Sequence, residues 1–219
     1  MELDDNQVAQ FLRADPQFFE RNLKLLDEIV LPDQHGGAAV SLMERQQTAL
    51  RDKLRVIEHK LAELVKFGET NDAISERVHR LSVALMAAEN FNDLADAITN
   101  NLHDDFQVPH VAMRLWGNPP SNISGRPEFE AVEFDLRAWV DGLAIPYCGH
   151  KPALDIGTWF GETNSTLKSY ALIALRSERS FGLLALASED AQRFYPEMGT
   201  MFLKRIGELV SSALKRYVA

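Results

Sequence analysis

Residues 40–85 read VSLMERQQTALRDKLRVIEHKLAELVKFGETNDAISERVHRLSVAL and contain no proline. Ser41 and Glu44 stand three residues apart, the spacing of a capping box, in which each side chain satisfies a free backbone N–H of the first helical turn. Behind this cap, apolar residues alternate in steps of three and four, as in the seam of a coiled coil: Met43, Leu50, Leu54, Ile57, Leu61 and Leu64. A helix with so narrow an apolar stripe needs a partner helix, so the stretch predicts a dimerising rod.

The seam changes its step near Phe67. Beyond Leu64 it continues best through a further set of positions: Phe67, Asn71, Ile74, Val78, Leu81 and Leu85. Two three-residue steps in succession form a stammer, which overwinds a coiled coil locally, and Gly68 costs about 1 kcal/mol in a helix interior relative to alanine. We expect a hinge or phase switch here; the alternative is a helix that ends near Phe67. The predicted dimer interface comprises Leu50, Leu54, Ile57, Leu61, Leu64, Phe67, Ile74 and Val78.

The composition is that of a folded, acidic protein. Its 219 residues, 46% of them hydrophobic and 25% charged, can form one domain with an appendage or two small domains. A net charge of −9 argues against a general surface for nucleic acid or anionic membranes. The single cysteine, Cys148, excludes an intramolecular disulfide and makes a thiolate metal site unexpected. The acidic N-terminus does not resemble a signal peptide, and no apolar run approaches the roughly 18 residues that span a bilayer, so we expect a cytoplasmic protein without a membrane segment.

Two short helices are predicted in residues 4–31. Asp15 followed by Pro16 is typical of the start of the second helix, because proline at the first helical position loses no hydrogen bond. The two helices carry three aromatic residues: Phe11, Phe18 and Phe19. Their apolar surface exceeds what two short helices can bury against each other, so they either pack on the rod or dock a partner protein. Residues 31–37 contain a proline and two glycines, which predicts a loop.

After Asn90 the sequence alternates between helical and strand patterns. An amphipathic helix begins shortly after this residue, with Asn92 or Asp93 near its start. The elements that follow are predicted as a strand at His110–Trp116, a strand at Phe129–Phe134, a short helix at Leu136–Leu143, an irregular stretch at Ile145–Glu162, strands at Tyr170–Leu175 and Phe181–Ala187, and a helix at Pro196–Val218. The last two strands are apolar on both faces and are joined by four residues, which predicts a hairpin at the centre of a sheet covered on each side.

Several stretches carry a family resemblance. Residues 169–175 followed by 181–186 resemble the buried strand, turn and glycine-led strand of a GAF domain. More specific blocks resemble a proteobacterial family catalogued as domain of unknown function four-eight-four: FLRADPQFFE at 11–20, VSLMERQ at 40–46, YCG at 147–149 and FYPEMGTMFL at 194–203. The resemblance implies an α+β fold, in which N-terminal helices and a long coiled-coil-like helix precede a GAF-like domain, an antiparallel sheet flanked by helices. It implies no known activity.

This resemblance sets the expected domain boundary near residue 70. Residues 1–70 would form the N-terminal helical region, with the dimerising helix from about residue 41. Residues 71–219 would form the GAF-like domain, including the C-terminal helix.

GAF domains bind cyclic nucleotides, tetrapyrroles or small metabolites in a pocket between the sheet and its loop-rich face. The cyclic-nucleotide signature has no counterpart in this sequence, and Cys148-Gly149-His150 is not the motif that attaches a bilin. The methionine-sulfoxide-reducing subtype needs more than one cysteine. The resemblance therefore leaves the ligand or cofactor unknown. The candidate pocket residues are Arg114, Trp116, Tyr147, Cys148, His150, Trp159, Phe160 and Tyr170.

Alternation along the first predicted strand places Arg114 and Trp116 on the face opposite Val111, Met113 and Leu115. If the apolar face packs on the helices, Arg114 lies on the loop side. Arginine beside aromatic rings suits an anionic or planar ligand. The alternative is an arginine that extends over the sheet edge to solvent.

Of the functions considered, the sequence supports a catalytic one least. Cys148 and His150 lie two residues apart, and alternate side chains of an extended segment point the same way, so a Cys–His contact is possible; the alternative is a half-buried thiol. The densest group of acidic and histidine residues is typical of a helix terminus and its turn: His103, Asp104, Asp105 and His110. We therefore expect no metal site.

The favoured hypothesis is a non-catalytic, cytoplasmic regulatory or sensory module that forms a homodimer through its long helix and binds a small molecule in the GAF-like pocket. The alternative is a protein–protein adaptor without a ligand, which docks a partner through Phe11, Phe18 and Phe19. A cysteine-dependent enzyme is a remote third possibility.

Overall fold

The computed structural model describes residues 4–31, 40–117, 119–150, 152, 154 and 156–218. The chain divides into two units, Met1–Gly68 and Glu69–Ala219. Helices and one main antiparallel sheet make up the structure, which confirms the predicted α+β class. None of the helices within the described ranges combines the length and the apolar character needed to cross a lipid bilayer.

The first unit begins with three short helices where the sequence predicts two. They are α1 (Asp5–Ala14), α2 (Phe18–Arg21) and α3 (Leu23–Glu28), and a two-stranded antiparallel pair follows, β1 (Val30–Leu31) with β2 (Val40–Ser41). The Gln7 side chain accepts a hydrogen bond of 3.2 Å from the Asp4 N–H at the start of α1. Most of the predicted loop at 31–37 lies outside the described residues.

A single helix, α4 (Leu42–Ala87), contains 46 residues and runs through Gly68. The alternative of a helix that ends near Phe67 is therefore wrong. A Cβ atom added at Gly68 would meet nothing within 4 Å, so the glycine is not required there by packing. The predicted capping box and the predicted seam position at Met43 cannot be compared with the structure, since the side chains of Ser41, Met43 and Glu44 lie outside the described part.

The second unit continues from the last turns of α4 into α5 (Phe91–Asn100). Its N-cap is Asn90, whose side-chain oxygen accepts from the N–H groups of Asn92 and Asp93, the two residues predicted near the helix start, at 2.9 and 3.0 Å. A π-helical turn, Asn101–Asp105, extends α5. Gln107 then takes a left-handed conformation (φ 56°), which turns the chain into the sheet.

Four antiparallel strands form the main sheet in the order β3-β6-β5-β4. They are β3 (His110–Leu115), β4 (Tyr147–Gly149), β5 (Ser169–Arg176) and β6 (Ser180–Ser188). β5 and β6 form the predicted hairpin at the centre, and all nine residues of β6 are buried. The expectation of central strands covered on both faces is thus confirmed.

The strand predicted at Phe129–Phe134 is wrong. A short 3-10 turn covers Pro127–Phe129, and α6 (Phe134–Gly142) follows. Residues 130–133 are neither helix nor strand, and within α6 Leu136 and Val140 are buried at four-residue spacing, which is the period of a helix face. In the described part of the chain, β3 is an edge strand of the main sheet.

The irregular stretch predicted at Ile145–Glu162 contains regular structure. The three-residue β4 lies within it, and a run of 3-10 turns covers Gly157–Ser165. The last helix, α7 (Met201–Leu214), begins five residues later than predicted and ends in a 3-10 turn at Lys215–Tyr217.

Two apolar cores lie on the two faces of the sheet. The helix-side core joins the sheet to the helices, with members that include Leu81, Leu94, Ile98, Met113, Cys148, Ile173, Leu184, Ile206 and Val210. The loop-side core lies on the opposite face, with members that include Val132, Leu136, Val140, Ile156, Tyr170, Leu172, Leu183 and Ala185. A ligand of the predicted kind would lie on the loop side.

Candidate functional site

The alternation predicted for β3 is observed. Met113 and Leu115 belong to the helix-side core, with Val111 packed against it, while Trp116 packs against the loop-side core. Arg114 pairs with Leu183 of β6, a member of the loop-side core. The pleat of the strand therefore places Arg114 and Trp116 on the face opposite the helices, as expected.

Arg114 is committed to contacts within the protein. Its Nη2 donates to Glu130 Oε2 at 2.8 Å and its Nη1 donates to the Met113 carbonyl at 3.1 Å. The guanidinium lies 5.1 Å from the ring centroid of Trp159, a cation–π distance. With only 9% of the residue exposed, these partners offset the cost of burying its charge. The arginine does not extend to solvent, so that alternative is wrong.

Three predicted pocket aromatics pack in the loop-side core. Trp116 Nε1 donates to the Ser180 carbonyl at 2.9 Å, which ties the end of β3 to the β5–β6 hairpin. Tyr147 packs edge-on against Trp139 and donates its hydroxyl to the His150 carbonyl at 2.9 Å. Both contacts are structural.

Tyr170 is the third of these aromatics, and it is fully buried. Its hydroxyl has no hydrogen-bond partner within the described part of the chain, and burial raises the pKa of the phenol. The Tyr170 ring lies 6.2 Å from that of Phe160.

Cys148 and His150 do not form a pair. Cys148 is buried in the helix-side core, where burial raises the pKa of its thiol. His150 is exposed, with Nδ1 3.3 Å from the Lys168 carbonyl. β4 ends at Gly149, so strand alternation does not extend to His150. A raised thiol pKa is the opposite of what an activated cysteine requires.

A groove runs along the outer edge of β3, between α5 and the 3-10 turns at Gly157–Ser165. This edge groove has two adjoining cavities, of about 450 and 180 Å³, which share Thr99, Val111 and Trp159 as lining residues. Three predicted pocket residues line it: Arg114, Trp159 and Phe160.

The backbone of β3 faces this groove. The Trp116 N–H donates to the Phe181 carbonyl at 2.8 Å, so that residue bonds toward β6. In an antiparallel pair, the backbone N–H and C=O groups of successive residues point alternately toward and away from the neighbouring strand. Those of Val111 and Met113 therefore point away from β6 and toward the groove.

Polar groups line one end of the edge groove. His110 Nε2 lies 2.7 Å from Glu189 Oε1, and this hydrogen bond holds the pKa of Glu189 below its usual value. Thr99 and Asn100 of α5 are exposed on the opposite wall. No local sequence pattern marks these two α5 residues, because they line a cavity only through the way α5 packs beside β3.

The acidic and histidine residues of the sequence group His103, Asp104, Asp105 and His110 have separate partners. His103 Nδ1 pairs with Asp104 at 2.9 Å, His110 pairs with Glu189, and Asp105 accepts from Arg80 Nη2 of α4 at 2.6 Å. Among the described residues, no group of three His, Cys, Asp or Glu side chains is arranged to hold a metal ion.

The N-terminal part of the predicted dimer interface is exposed. We keep the name seam for six residues of the longer predicted stripe, each of which is 57–65% exposed: Leu50, Leu54, Ile57, Leu61, Leu64 and Phe67. The two remaining predicted interface residues differ from these: Ile74 is half-buried, and Val78 packs against the helix-side core. Below residue 70, α4 therefore presents apolar side chains to solvent.

The predicted docking residues form an aromatic cluster in the first unit. Phe11 and Phe18 lie 5.6 Å apart between ring centroids, and Phe18 and Phe19 lie 5.5 Å apart, both edge-on. Phe11 is 53% exposed, and neither α1 nor α2 contains a buried residue. The cluster is thus accessible on its own unit.

Comparison with known proteins gives matches over the whole chain. A family model described as "Protein of unknown function, DUF484" matches residues 1–219. "Uncharacterized protein YigA" of Escherichia coli (strain K12) is 26% identical over 226 residues, which cover 99% of this chain and 93% of the relative. The protein of the same name from Salmonella typhimurium (strain LT2) is 24% identical with the same coverage.

Solved structures similar to this chain include GAF domains. The GAF domain of the potassium sensor histidine kinase KdpD from Escherichia coli is 17% identical with a TM-score of 0.41, covering 65% of this chain and 94% of its own. The GAF domain of an Acinetobacter phosphoenolpyruvate-protein phosphotransferase is 14% identical with a TM-score of 0.48, covering 64% of this chain and 92% of its own.

Proposed function

This chain belongs to the DUF484 family over residues 1–219, and we propose that it is a non-catalytic regulatory module that forms a homodimer through α4 and binds a small molecule in the edge groove. A rod that pairs two ligand-binding units can report ligand occupancy when the ligand favours one arrangement of the rod over another. A cytoplasmic location is part of this proposal.

The exposed seam carries the proposal. Fully burying a leucine, isoleucine or phenylalanine side chain contributes roughly 1.5–3 kcal/mol. Burying six such side chains, each more than half exposed, would therefore contribute on the order of 6 kcal/mol per chain before the costs of association. The regular three- and four-residue spacing suits a second helix with the same spacing, and a second copy of this chain supplies one.

The edge groove supports the ligand part of the proposal. Its larger cavity, about 450 Å³, falls within the range of roughly 300–1,000 Å³ that small-molecule sites occupy. Aromatic side chains from Trp159 and Phe160 form one wall, and Thr99 and Asn100 supply polar groups on the other. A compact molecule with both a planar apolar part and hydrogen-bonding groups fits this lining.

Native mass spectrometry of freshly purified protein tests the ligand part. We expect a dimer that carries extra mass, which disappears when the protein is denatured. The variant Thr99→Phe places a bulky ring in the groove from an exposed helical position, and we expect it to lose the extra mass.

The control is Ser121→Phe, which adds the same ring at an exposed turn away from the groove and should keep the extra mass. A wild-type dimer of bare mass would contradict ligand retention. Extra mass that persists in Thr99→Phe would place the ligand elsewhere.

A second candidate function is an adaptor that docks a protein partner through the Phe11–Phe18–Phe19 cluster, and it is favoured by the exposure of Phe11 and by the half-buried state of Phe18 and Phe19. We expect Phe18→Ser with Phe19→Ser to abolish capture of a partner in a pull-down while the circular dichroism spectrum stays unchanged. Loss of folding in this variant would show that the rings are core residues, and the adaptor candidate would lose its support.

The non-catalytic part of the proposal is supported by the position of Cys148. Among the described residues, no hydrogen bond joins a base to this thiol, which is buried in the helix-side core, whereas His150 is exposed. An activity screen in which wild-type turnover disappears in Cys148→Ser would contradict this part.

A further inference from the structure

A second cavity, of about 540 Å³, lies on the helix side of the sheet and shares no lining residue with the edge groove. Buried apolar side chains form its floor: Leu102, Val108, Leu186, Phe194, Leu203 and Ile206. We name this cavity the helix-side pocket. The floor can hold the apolar body of a ligand, since burying such a body removes it from water.

The π-helical turn after α5 builds one wall of the helix-side pocket. The Phe106 N–H donates to the Asn101 carbonyl at 3.3 Å, five residues back, and the Val108 N–H donates to the Leu102 carbonyl at 2.9 Å. These bonds bring Leu102, Phe106 and Val108 to the same cavity. Such π-helical turns occur frequently at functional sites.

The charged groups of the pocket are mainly basic. Arg77 of α4 and Arg193 line it, against one carboxylate, Asp190. Asp190 Oδ1 accepts the Gln192 N–H at 2.9 Å, and Arg193 donates to the Phe106 carbonyl. Arg77 has no acidic partner among the residues that the structure describes. Its guanidinium is therefore available to an anion.

We infer that the helix-side pocket binds an organic anion with an apolar body, whose anionic group pairs with Arg77 while its body covers the apolar floor. The inference is independent of the edge groove. The bound molecule would contact α4 at Asn71, Ile74 and Arg77. Because α4 also carries the seam, an anion in this pocket would touch the helix proposed to dimerise.

The probe is 8-anilinonaphthalene-1-sulfonate, which joins a sulfonate to an apolar aromatic body and fluoresces when buried. We expect wild-type protein to bind it and Arg77→Gln to bind it at least about tenfold more weakly, because a charge-assisted hydrogen bond contributes about 1.5 kcal/mol or more. Arg77→Lys should recover part of the affinity. Equal affinities of wild type and Arg77→Gln would overturn the inference.

Three matched variants control for binding elsewhere. Arg51→Gln removes the same charge from an exposed position on the same helix and should leave the affinity unchanged. Ile57→Asp with Leu61→Asp removes apolar surface from the seam, and Thr99→Phe blocks the edge groove; both should still bind the probe. Loss of binding in either of these two, with full binding in Arg77→Gln, would place the probe at the seam or the edge groove.

A second measurement uses wild-type protein alone and does not depend on the folding of any variant. Sodium decanoate and 1-decanol share an apolar chain, but only decanoate is anionic at pH 7. We expect decanoate to displace the probe at a concentration at least about tenfold lower than 1-decanol. Equal displacement by both would show that charge does not contribute, and would overturn the inference.

Discussion

Gly182 of β6 pairs with Leu115 of β3 and has no room for a side chain. A Cβ atom at this position would lie 2.7 Å from Leu115 Cδ2 and 2.8 Å from the Arg114 carbonyl oxygen. Since the carbonyl belongs to the paired strand and cannot rotate away, we expect Gly182→Ala to lower the free energy of unfolding by about 1–3 kcal/mol. Urea denaturation measures this change. Gly125→Ala, where a Cβ meets nothing within 4 Å, should change little; equal effects of the two would contradict the β3–β6 register.

Glu128 makes part of the stability depend on pH. Burial acts to raise the pKa of its carboxyl group, but hydrogen bonds from Arg126, at 2.9 and 3.0 Å, and from the backbone bring that pKa below the usual 4.5. A lowered pKa adds stability that is fully present above pH 4.5 and is lost as the pH falls through the value in the folded protein.

Glu128→Gln tests this linkage. We expect it to lower the free energy of unfolding by about 1 kcal/mol at pH 7, and the difference from wild type to disappear as the pH is lowered below 4.5, where protonated Glu128 resembles glutamine. Thermal unfolding across this range measures it. The same exchange at the exposed Glu178 is the control. A difference that persists in acid would show that the Arg126 contact is not the cause.

Among the candidate site residues, strand alternation placed Arg114 and Trp116 on the correct face but could not identify their partners. Arg114 is neutralised by Glu130, sixteen residues away in sequence, and no local pattern reveals such a contact. The Cys148–His150 expectation failed for a local reason, because β4 ends between them at Gly149. Which side chains remain free for a ligand depends on these tertiary contacts.

At the scale of elements, a substitution at Gly68 tests whether this glycine is an ordinary position of α4 or a hinge. Glycine in a helix interior costs about 1 kcal/mol relative to alanine, and nothing surrounds this position within 4 Å. We therefore expect Gly68→Ala to stabilise α4 and raise the midpoint of its thermal unfolding, followed by circular dichroism at 222 nm. Gly142→Ala, also in open space but at the end of α6, is the comparison. A lower midpoint in Gly68→Ala would favour the predicted hinge, with the glycine needed for bending.

Long periodic segments were predictable from the sequence, and short ones were not. The α4 seam and the β5–β6 hairpin have strong local signals, since their apolar periods extend over many residues. Phe129–Phe134 was assigned as a strand because six residues are too few to separate a period of two from one of 3.6. The three-residue β4 has too little sequence to show any period. The edge groove is lined by residues of α5, β3 and the 3-10 turns at Gly157–Ser165, which lie far apart in the sequence, so it could not be predicted.

At the scale of the whole molecule, the oligomeric state depends on what covers the seam. Its six apolar side chains are exposed in a single chain, whereas the two apolar cores of the second unit are closed by their own helices and loops. An isolated chain would leave the seam in water. We expect two chains to pair through it, and the regulatory proposal requires this pairing.

The most direct test is the mass in solution, measured by size-exclusion chromatography with multi-angle light scattering. We predict a wild-type mass near twice the 24.7 kDa of one chain, a mass of one chain for Ile57→Asp with Leu61→Asp, and a dimer for the control Val56→Asp with Ala62→Asp, which adds the same charges on the same helix away from the seam. A wild-type monomer, or a dimer that survives the Ile57 and Leu61 changes, would contradict dimerisation through α4.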